Sequence, residues 1–83
     1  MEKMSLAQST AKRLKNEIVS EKKYRPGQKL PNENILSNQY GISRSTLREA
    51  IRILVSEGIL EVQRGNGTFV LSQLNQKTTS SFQ

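Results

Sequence analysis

The 83-residue sequence contains no cysteine, no histidine and no aspartate, and aromatic residues make up only 5% of it. Without cysteine the chain forms neither a disulfide nor a thiolate zinc site, which fits a reducing compartment, and we expect a cytoplasmic location. Without histidine it lacks the usual general base near neutral pH and an imidazole metal ligand. These absences exclude Ser–His–Asp hydrolysis, zinc catalysis and aspartate-based magnesium sites. We therefore expect no enzymatic activity, no metal and no cofactor in this segment.

Long hydrophobic runs are also missing. No apolar stretch approaches the roughly 20 residues that a membrane-spanning helix needs, and no signal peptide is visible, so we expect no membrane partner. Basic residues prevail instead, since 13 Lys and Arg stand against 7 Glu and give a net charge of +6. Such a charge on one small domain indicates a polyanionic partner, either nucleic acid or anionic lipid. Simple solubility is the alternative explanation of the charge.

Apolar residues recur at helical spacing in three stretches, which predicts three α-helices. These helices cover residues 6 to about 22, 33 to about 40, and 44 to 57. Each stretch follows a residue that can cap a first helical turn, namely Ser5, Asn32 and Ser43. Gly41 and Gly58 follow the second and third helices, where glycine can end a helix in the left-handed conformation.

The predicted core comes mainly from the first and third helices. The apolar stripe of the first helix is Leu6, Ala7, Ala11, Leu14, Ile18 and Val19. In the third helix Leu47, Ala50, Ile51 and Leu54 share one side, and Ile53 and Val55 make its C-terminal half apolar almost all round. We expect that half to be buried on several sides, which leaves the N-terminal half to protrude.

After Gly58 the apolar period changes from 3.6 to 2, which predicts two strands at residues 59–64 and 68–71. Asn66-Gly67 between them predicts a hairpin with a type I′ turn, in which both central residues need a positive φ. Earlier in the chain, Pro26-Gly27 fits a type II turn, and the segment before Pro31 is expected to be extended as a very short strand. The order helix, helix, turn, helix, hairpin predicts a mostly α, α+β winged helix-turn-helix.

Three arginines, Arg44, Arg48 and Arg52, recur at i, i+4 and i+8 and so stack on one side of the third helix. A guanidinium group can pair with guanine O6 and N7 or grip a phosphate, and hydroxyls at a helix N-terminus suit phosphate oxygens. For Arg44 and Arg48 the alternative is a solvated face with a salt bridge to Glu49 or Glu33.

The sequence resembles the GntR family of bacterial transcription regulators over residues 6–71. The matching residues are Pro26-Gly27, Leu30-Pro31, Glu33, Gly41-Ile42-Ser43-Arg44, Leu47-Arg48-Glu49-Ala50, Leu54, Glu57-Gly58 and Arg64-Gly65-Asn66-Gly67-Thr68-Phe69-Val70. The resemblance implies a winged-helix domain at residues 6–72 that binds operator DNA as a homodimer. It also implies a separate C-terminal domain that senses a small-molecule effector, so residues 73–83 are expected to be a linker stub and residues 1–5 a flexible N-terminus.

The resemblance also supplies candidate DNA contacts. Those from the third helix are Ser43, Arg44, Ser45, Thr46 and Arg48, although Ser43 can equally be a cap alone. Arg64 and Gly65 correspond to the wing tip, which the family directs toward the minor groove; the alternative is a structural hairpin tip. For Arg52 two interpretations remain, a phosphate contact and a surface charge.

Two positions depart from the family pattern. Asn34 stands where the family often has a DNA-contacting arginine, so it can hydrogen-bond a phosphate or adenine but brings no charge. Ile35 replaces the glutamate that would complete a capping box with Asn32.

A different function remains open on the sequence alone. The winged helix would then be a protein–protein interaction module whose third helix packs on an acidic partner. A third possibility, a first helix lying on membranes, is disfavoured because its stripe lacks Trp and Phe.

Overall fold

The computed structural model describes residues 4–71, in which three helices precede a two-stranded antiparallel sheet. The helices are α1 (Leu6–Val19), α2 (Glu33–Tyr40) and α3 (Arg44–Ser56), and the strands are β1 (Leu60–Gln63) and β2 (Gly67–Val70). This is the mostly helical winged helix-turn-helix that the sequence predicts. The expected linker at residues 73–83 and residues 1–3 of the expected flexible N-terminus lie outside the described residues.

Side-chain caps begin all three helices, as predicted. The Ser5 hydroxyl accepts the backbone N–H of Gln8, whose side chain in turn accepts the N–H of Ser5. Asn32 Oδ1 accepts the N–H of Ile35 at 3.0 Å, and Ser43 Oγ accepts the N–H of Thr46 at 3.1 Å. Each cap satisfies a donor that has no partner within the helix.

Two helix ends differ from the prediction. Helix α1 ends at Val19 rather than near residue 22, because the backbone turns at Lys22, whose φ is +54°. The N–H of Lys23 then bonds the carbonyl of Glu17 at 2.8 Å. Helix α3 ends at Ser56, one residue early, since Glu57 has already left helical geometry with a ψ of 1°.

The turn between α2 and α3 depends on Gly41. Its φ of 67° and ψ of 37° lie in the left-handed region, and the N–H of Ile42 bonds the carbonyl of Ser37 at 3.0 Å. This conformation is costly for residues that carry a Cβ. Glycine at this position sets the direction in which α3 leaves α2.

The core lies where α1 packs against α3, with α2 and the hairpin closing its sides. Its largest fully buried side chains are Leu14, Leu36, Leu47, Leu54, Leu60 and Val70. The predicted α1 stripe is wrong at its two ends, because Leu6 and Val19 are the first and last residues of the helix and are 58% and 41% exposed. Val55 is likewise 39% exposed, so the C-terminal half of α3 is buried on fewer sides than expected.

Helices α1 and α2 are also joined by a polar contact. The Tyr40 hydroxyl donates a 2.8 Å hydrogen bond to Glu17 Oε1, and the Arg13 guanidinium lies 4.7 Å from the centre of the Tyr40 ring. Burial, followed by the hydrogen bond to Glu17, raises the pKa of Tyr40 well above its ordinary value. The hydroxyl therefore stays protonated and remains a donor to Glu17.

The hairpin forms the wing, which we define as residues 59–71. Its strands pair in the register Leu60↔Val70 to Gln63↔Gly67. A third segment joins the outer edge of β2: Lys29 bridges Phe69, and the N–H of Leu30 bonds the carbonyl of Thr68 at 2.8 Å. This segment is the short extended stretch expected before Pro31.

The predicted type I′ turn at Asn66-Gly67 is wrong. The N–H of Asn66 bonds the carbonyl of Gln63 at 2.8 Å, which puts Arg64 and Gly65 at the centre of the turn. Gly65 supplies the positive φ, 80°, at the third position, while Asn66 is not among the described residues with positive φ. Gly65 thus provides the positive φ in the turn that was predicted for Asn66 and Gly67.

Candidate nucleic-acid interface

Hydroxyl groups cluster at the N-terminus of α3. Ser43 Oγ donates to Thr46 Oγ1 at 2.9 Å while it accepts the backbone N–H of Thr46, and it lies 3.2 Å from Ser45 Oγ. Ser43 and Ser45 are exposed and Thr46 is half-buried. The Ser43 hydroxyl is therefore committed to the cap, which leaves Ser45 and Thr46 as the better donors to an outside acceptor.

Arg44 projects beside this cluster and meets helix α2. Its Nη1 donates to Asn34 Oδ1 at 3.3 Å, and both residues are exposed. The structure thus brings Asn34, the position that lacks the family's arginine, next to the start of α3. The Asn34 amide therefore orients the Arg44 guanidinium but adds no positive charge of its own.

Arg48, one turn further along α3, is held by Glu33 of α2. Its Nε lies 3.1 Å from both carboxylate oxygens of Glu33, and its Nη2 lies 2.8 Å from Oε1. The hydrogen bonds from Arg48 are the main reason that the pKa of Glu33 is below its usual value. The sequence offers Glu49 or Glu33 as a salt-bridge partner, and in the structure Arg48 pairs with Glu33.

Arg52 lies beyond Arg48 and faces the wing. It is exposed, makes no ion pair among residues 4–71, and lines a surface hollow of about 350 Å³ between α3 and the wing. Val55, Val62 and Thr68 line the same hollow. Arg52 is thus in position for a contact with an outside group, although on a more apolar surface than Arg44.

The wing tip carries a second group of polar residues. Arg64 and Gly65 are exposed at the centre of the turn. Lys29, which no sequence pattern singles out, lies across the adjacent Gly67, where an added Cβ would approach Lys29 Cε to 2.6 Å. Lys29 could not be found from sequence because its position depends on pairing with Phe69, 40 positions away.

The candidate residues therefore fall into two groups. Those at the contact between α2 and the start of α3 are Asn34, Ser43, Arg44, Ser45, Thr46 and Arg48; those on the wing side are Lys29, Arg64 and Gly65, with Arg52 between the groups. Among residues 4–71 no cluster of three or more acidic, Cys or His side chains could hold a metal ion. None of the described helices has the length and apolar character needed to cross a membrane.

The sequence of this chain matches a known protein family. The sequence profile of the bacterial regulatory proteins of the gntR family matches residues 6–70. The chain belongs to the GntR family. Its fold and its α2–α3 pair are therefore those of a family of transcription regulators, a class without enzymatic activity.

Individual GntR-family relatives agree in sequence and structure. A probable fructoselysine utilization operon transcriptional repressor of Escherichia coli K12 is 52% identical over 50 residues, which are 60% of this chain and 21% of that protein. The structure of Streptococcus agalactiae GntR superposes with a TM-score of 0.74 at 43% identity, over 82% of this chain and 32% of that one. The matched region spans about a fifth of the curated relatives' length.

A third relative was solved on DNA. The AraR DNA-binding domain in complex with operator ORE1 superposes with a TM-score of 0.75 at 40% identity, over 82% of each chain. This GntR-family chain is therefore similar to most of a domain that was solved bound to an operator.

Proposed function

We propose that this domain binds operator DNA sequence-specifically and thereby serves a bacterial transcription regulator. The observation that carries the proposal is the cluster of exposed Arg44, Ser45 and Arg48 with half-buried Thr46 at the N-terminal end of α3. In a winged helix-turn-helix this end enters the major groove. The operator complex of the similar AraR domain supports the same assignment.

The proposed contacts divide by chemistry. Arg48 contacts a guanine, because two adjacent N–H groups of a guanidinium match guanine O6 and N7. Arg44 and the hydroxyls of Ser45 and Thr46 bind phosphate oxygens, which fixes the register of α3 on the duplex. Asn34 orients Arg44 and can also reach a phosphate, and Ser43 acts chiefly as the cap.

The wing is proposed to approach the minor groove. Arg64 stands at an exposed tip beside Gly65, which offers no side chain to obstruct entry into a narrow groove of negative potential. Lys29 binds a flanking phosphate as a point charge, and Arg52 binds another through its guanidinium. In this arrangement base preference comes mainly from α3, while the wing adds affinity and sensitivity to groove shape.

We further propose that the whole regulator is a homodimer that recognises an inverted repeat, because operator symmetry mirrors the symmetry of a dimer. Its small-molecule effector would then bind outside this winged-helix domain. The supporting observation is that curated relatives are about five times as long as the matched region.

Selection of bound sites from a random duplex library, with a dimerised form of this domain, tests the proposal. We expect an inverted-repeat consensus. Arg48→Ala should weaken binding to that consensus about 5- to 150-fold and relax preference at one base pair per half-site. Lys12→Ala, an exposed change on the outer face of α1, is the matched control and should leave the consensus unchanged.

The salt dependence of duplex binding separates this function from a protein–protein interaction module. Several phosphate contacts predict a steep fall in affinity, with each contact adding roughly 0.9 to the log–log slope. A domain that binds no duplex at low salt, yet binds an acidic protein, would contradict the proposal.

A further inference from the structure

The ion pair between Arg48 and Glu33 leaves one edge of the guanidinium unused. A guanidinium has five N–H donors, and Glu33 takes the edge formed by Nε and Nη2. The opposite edge, formed by Nη1 and the second hydrogen of Nη2, has no hydrogen-bond partner among residues 4–71. That edge is also a two-donor fork of the kind that matches guanine O6 and N7.

Glu33 is the better fixed member of the pair. It lies in the first turn of α2, directly after the Asn32 cap, where the helix dipole favours a negative charge. Its side chain is 35% exposed, whereas that of Arg48 is 61% exposed. The carboxylate therefore forms a support on the protein, and the arginine extends from it toward solvent.

We infer that Glu33 is a specificity-determining positioning residue, which holds Arg48 by one edge and directs the other edge toward a base. This inference rests on the proposed function. A guanidinium that is already oriented loses less rotational freedom on binding than a free one. The nearby carboxylate also repels phosphate, which disfavours a base-independent contact by Arg48.

The inference predicts opposite effects on two kinds of binding. Loss of the carboxylate should strengthen binding to unrelated duplexes, since one negative charge is removed near the phosphates. It should weaken discrimination at the base pair that Arg48 contacts, because the freed arginine can turn to a phosphate. A residue that only stabilised the fold would lower both affinities together.

The test compares Glu33→Gln with the parent in the dimerised domain, on the selected operator, its single-base variants and an unrelated duplex. We expect the discrimination at the Arg48 base pair to fall at least threefold, within the range of about 5- to 150-fold that one bidentate contact supplies. Affinity for the unrelated duplex should rise. Glu49→Gln is the matched control, because Glu49 follows Arg48 directly on α3, is exposed and makes no ion pair among the described residues.

A double-mutant cycle shows whether Glu33 acts through Arg48. In an Arg48→Ala background, Glu33→Gln should no longer change discrimination at any base pair. Unchanged base discrimination in the single variant, or an equal loss of it in both backgrounds, would overturn the inference. A parent domain that prefers no duplex would instead contradict the proposed function itself, so the two failures are distinguishable.

Discussion

The amide oxygen of Asn34 accepts a hydrogen bond from Arg44 Nη1 at 3.3 Å, and this contact joins α2 to the N-terminal end of α3. It places a neutral side chain where the family often has a cation. The domain therefore presents Arg44 and Arg48 close together without a third arginine beside them. We therefore expect its electrostatic attraction to DNA at this point to be weaker than the family pattern implies.

Asn34→Arg should restore the missing charge. We expect tighter binding to every duplex and a log–log salt slope steeper by roughly 0.9, because one more phosphate is neutralised. Base preference should change little, since a phosphate contact carries no sequence information. Binding measured at several salt concentrations checks this, with Asn38→Arg, at the exposed far end of α2, as the control.

The salt bridge of Glu33 should make stability depend on pH. Because the folded-state pKa of Glu33 is lowered, its contribution is fully present above the ordinary glutamate pKa of about 4.3. The contribution is lost as pH falls through the lower folded value. Urea unfolding between pH 7 and pH 3 should therefore show the parent to be more stable than Glu33→Gln at neutral pH, with the difference shrinking in acid. A constant difference would contradict the prediction.

Gly67→Ala should disturb the wing because of its backbone conformation. The φ of Gly67 is 129°, which disfavours side chains, whereas the added Cβ would meet only the flexible end of the exposed Lys29 side chain. We expect a loss of roughly 1–3 kcal/mol in the free energy of unfolding, the usual range for a strained backbone position. Adding Lys29→Ala should recover little of this loss, because the exposed Lys29 side chain can move away while the unfavourable φ remains.

Lys29→Ala alone should separate binding from stability. It removes a proposed phosphate contact, so affinity should fall on all duplexes alike and the salt slope should decrease by about 0.9. The melting temperature should change little because Lys29 is exposed. A change in base preference would show that Lys29 contacts a base instead.

Tyr40→Phe should weaken the contact between α1 and α2. It removes the 2.8 Å hydrogen bond to Glu17 and keeps the ring under Arg13. We expect a loss of about 1–2 kcal/mol in the free energy of unfolding, since the bond is partly buried and its acceptor is charged. Urea denaturation measures this loss of stability. In a double-mutant cycle with Glu17→Ala, the two substitutions should be non-additive because each removes the same hydrogen bond, and additive effects would contradict the prediction.

The parts of the fold that depend on local chemistry are visible in the sequence. Ser5, Asn32 and Ser43 cap because their side chains reach backbone N–H groups three residues away, and Gly41 turns the chain by its own left-handed conformation. The hairpin turn is misplaced in the prediction because Gly65 and Asn66-Gly67 both satisfy local turn chemistry. Only the strand register decides between them.

The finer arrangement of the site depends on contacts between distant segments. The sequence allows Arg48 to pair with Glu33 or Glu49; residues adjacent on a helix do not face each other, and the packing of α2 on α3 brings Glu33 to it. Lys29 escapes prediction because its place beside Gly67 follows from the pairing of its segment with β2. Periodicity and spacing cannot supply such contacts.

The five residues from Lys29 to Glu33 touch both halves of the proposed interface. Lys29 pairs with Phe69 of the wing, Glu33 holds Arg48, and the rigid ring of Pro31 lies between them in the chain. This short segment therefore connects a residue paired with β2 to the residue that holds α3. We expect an insertion within these five residues to displace Lys29 from Phe69 or Glu33 from Arg48, and so to disturb one group of proposed DNA contacts while the residues of both groups stay the same.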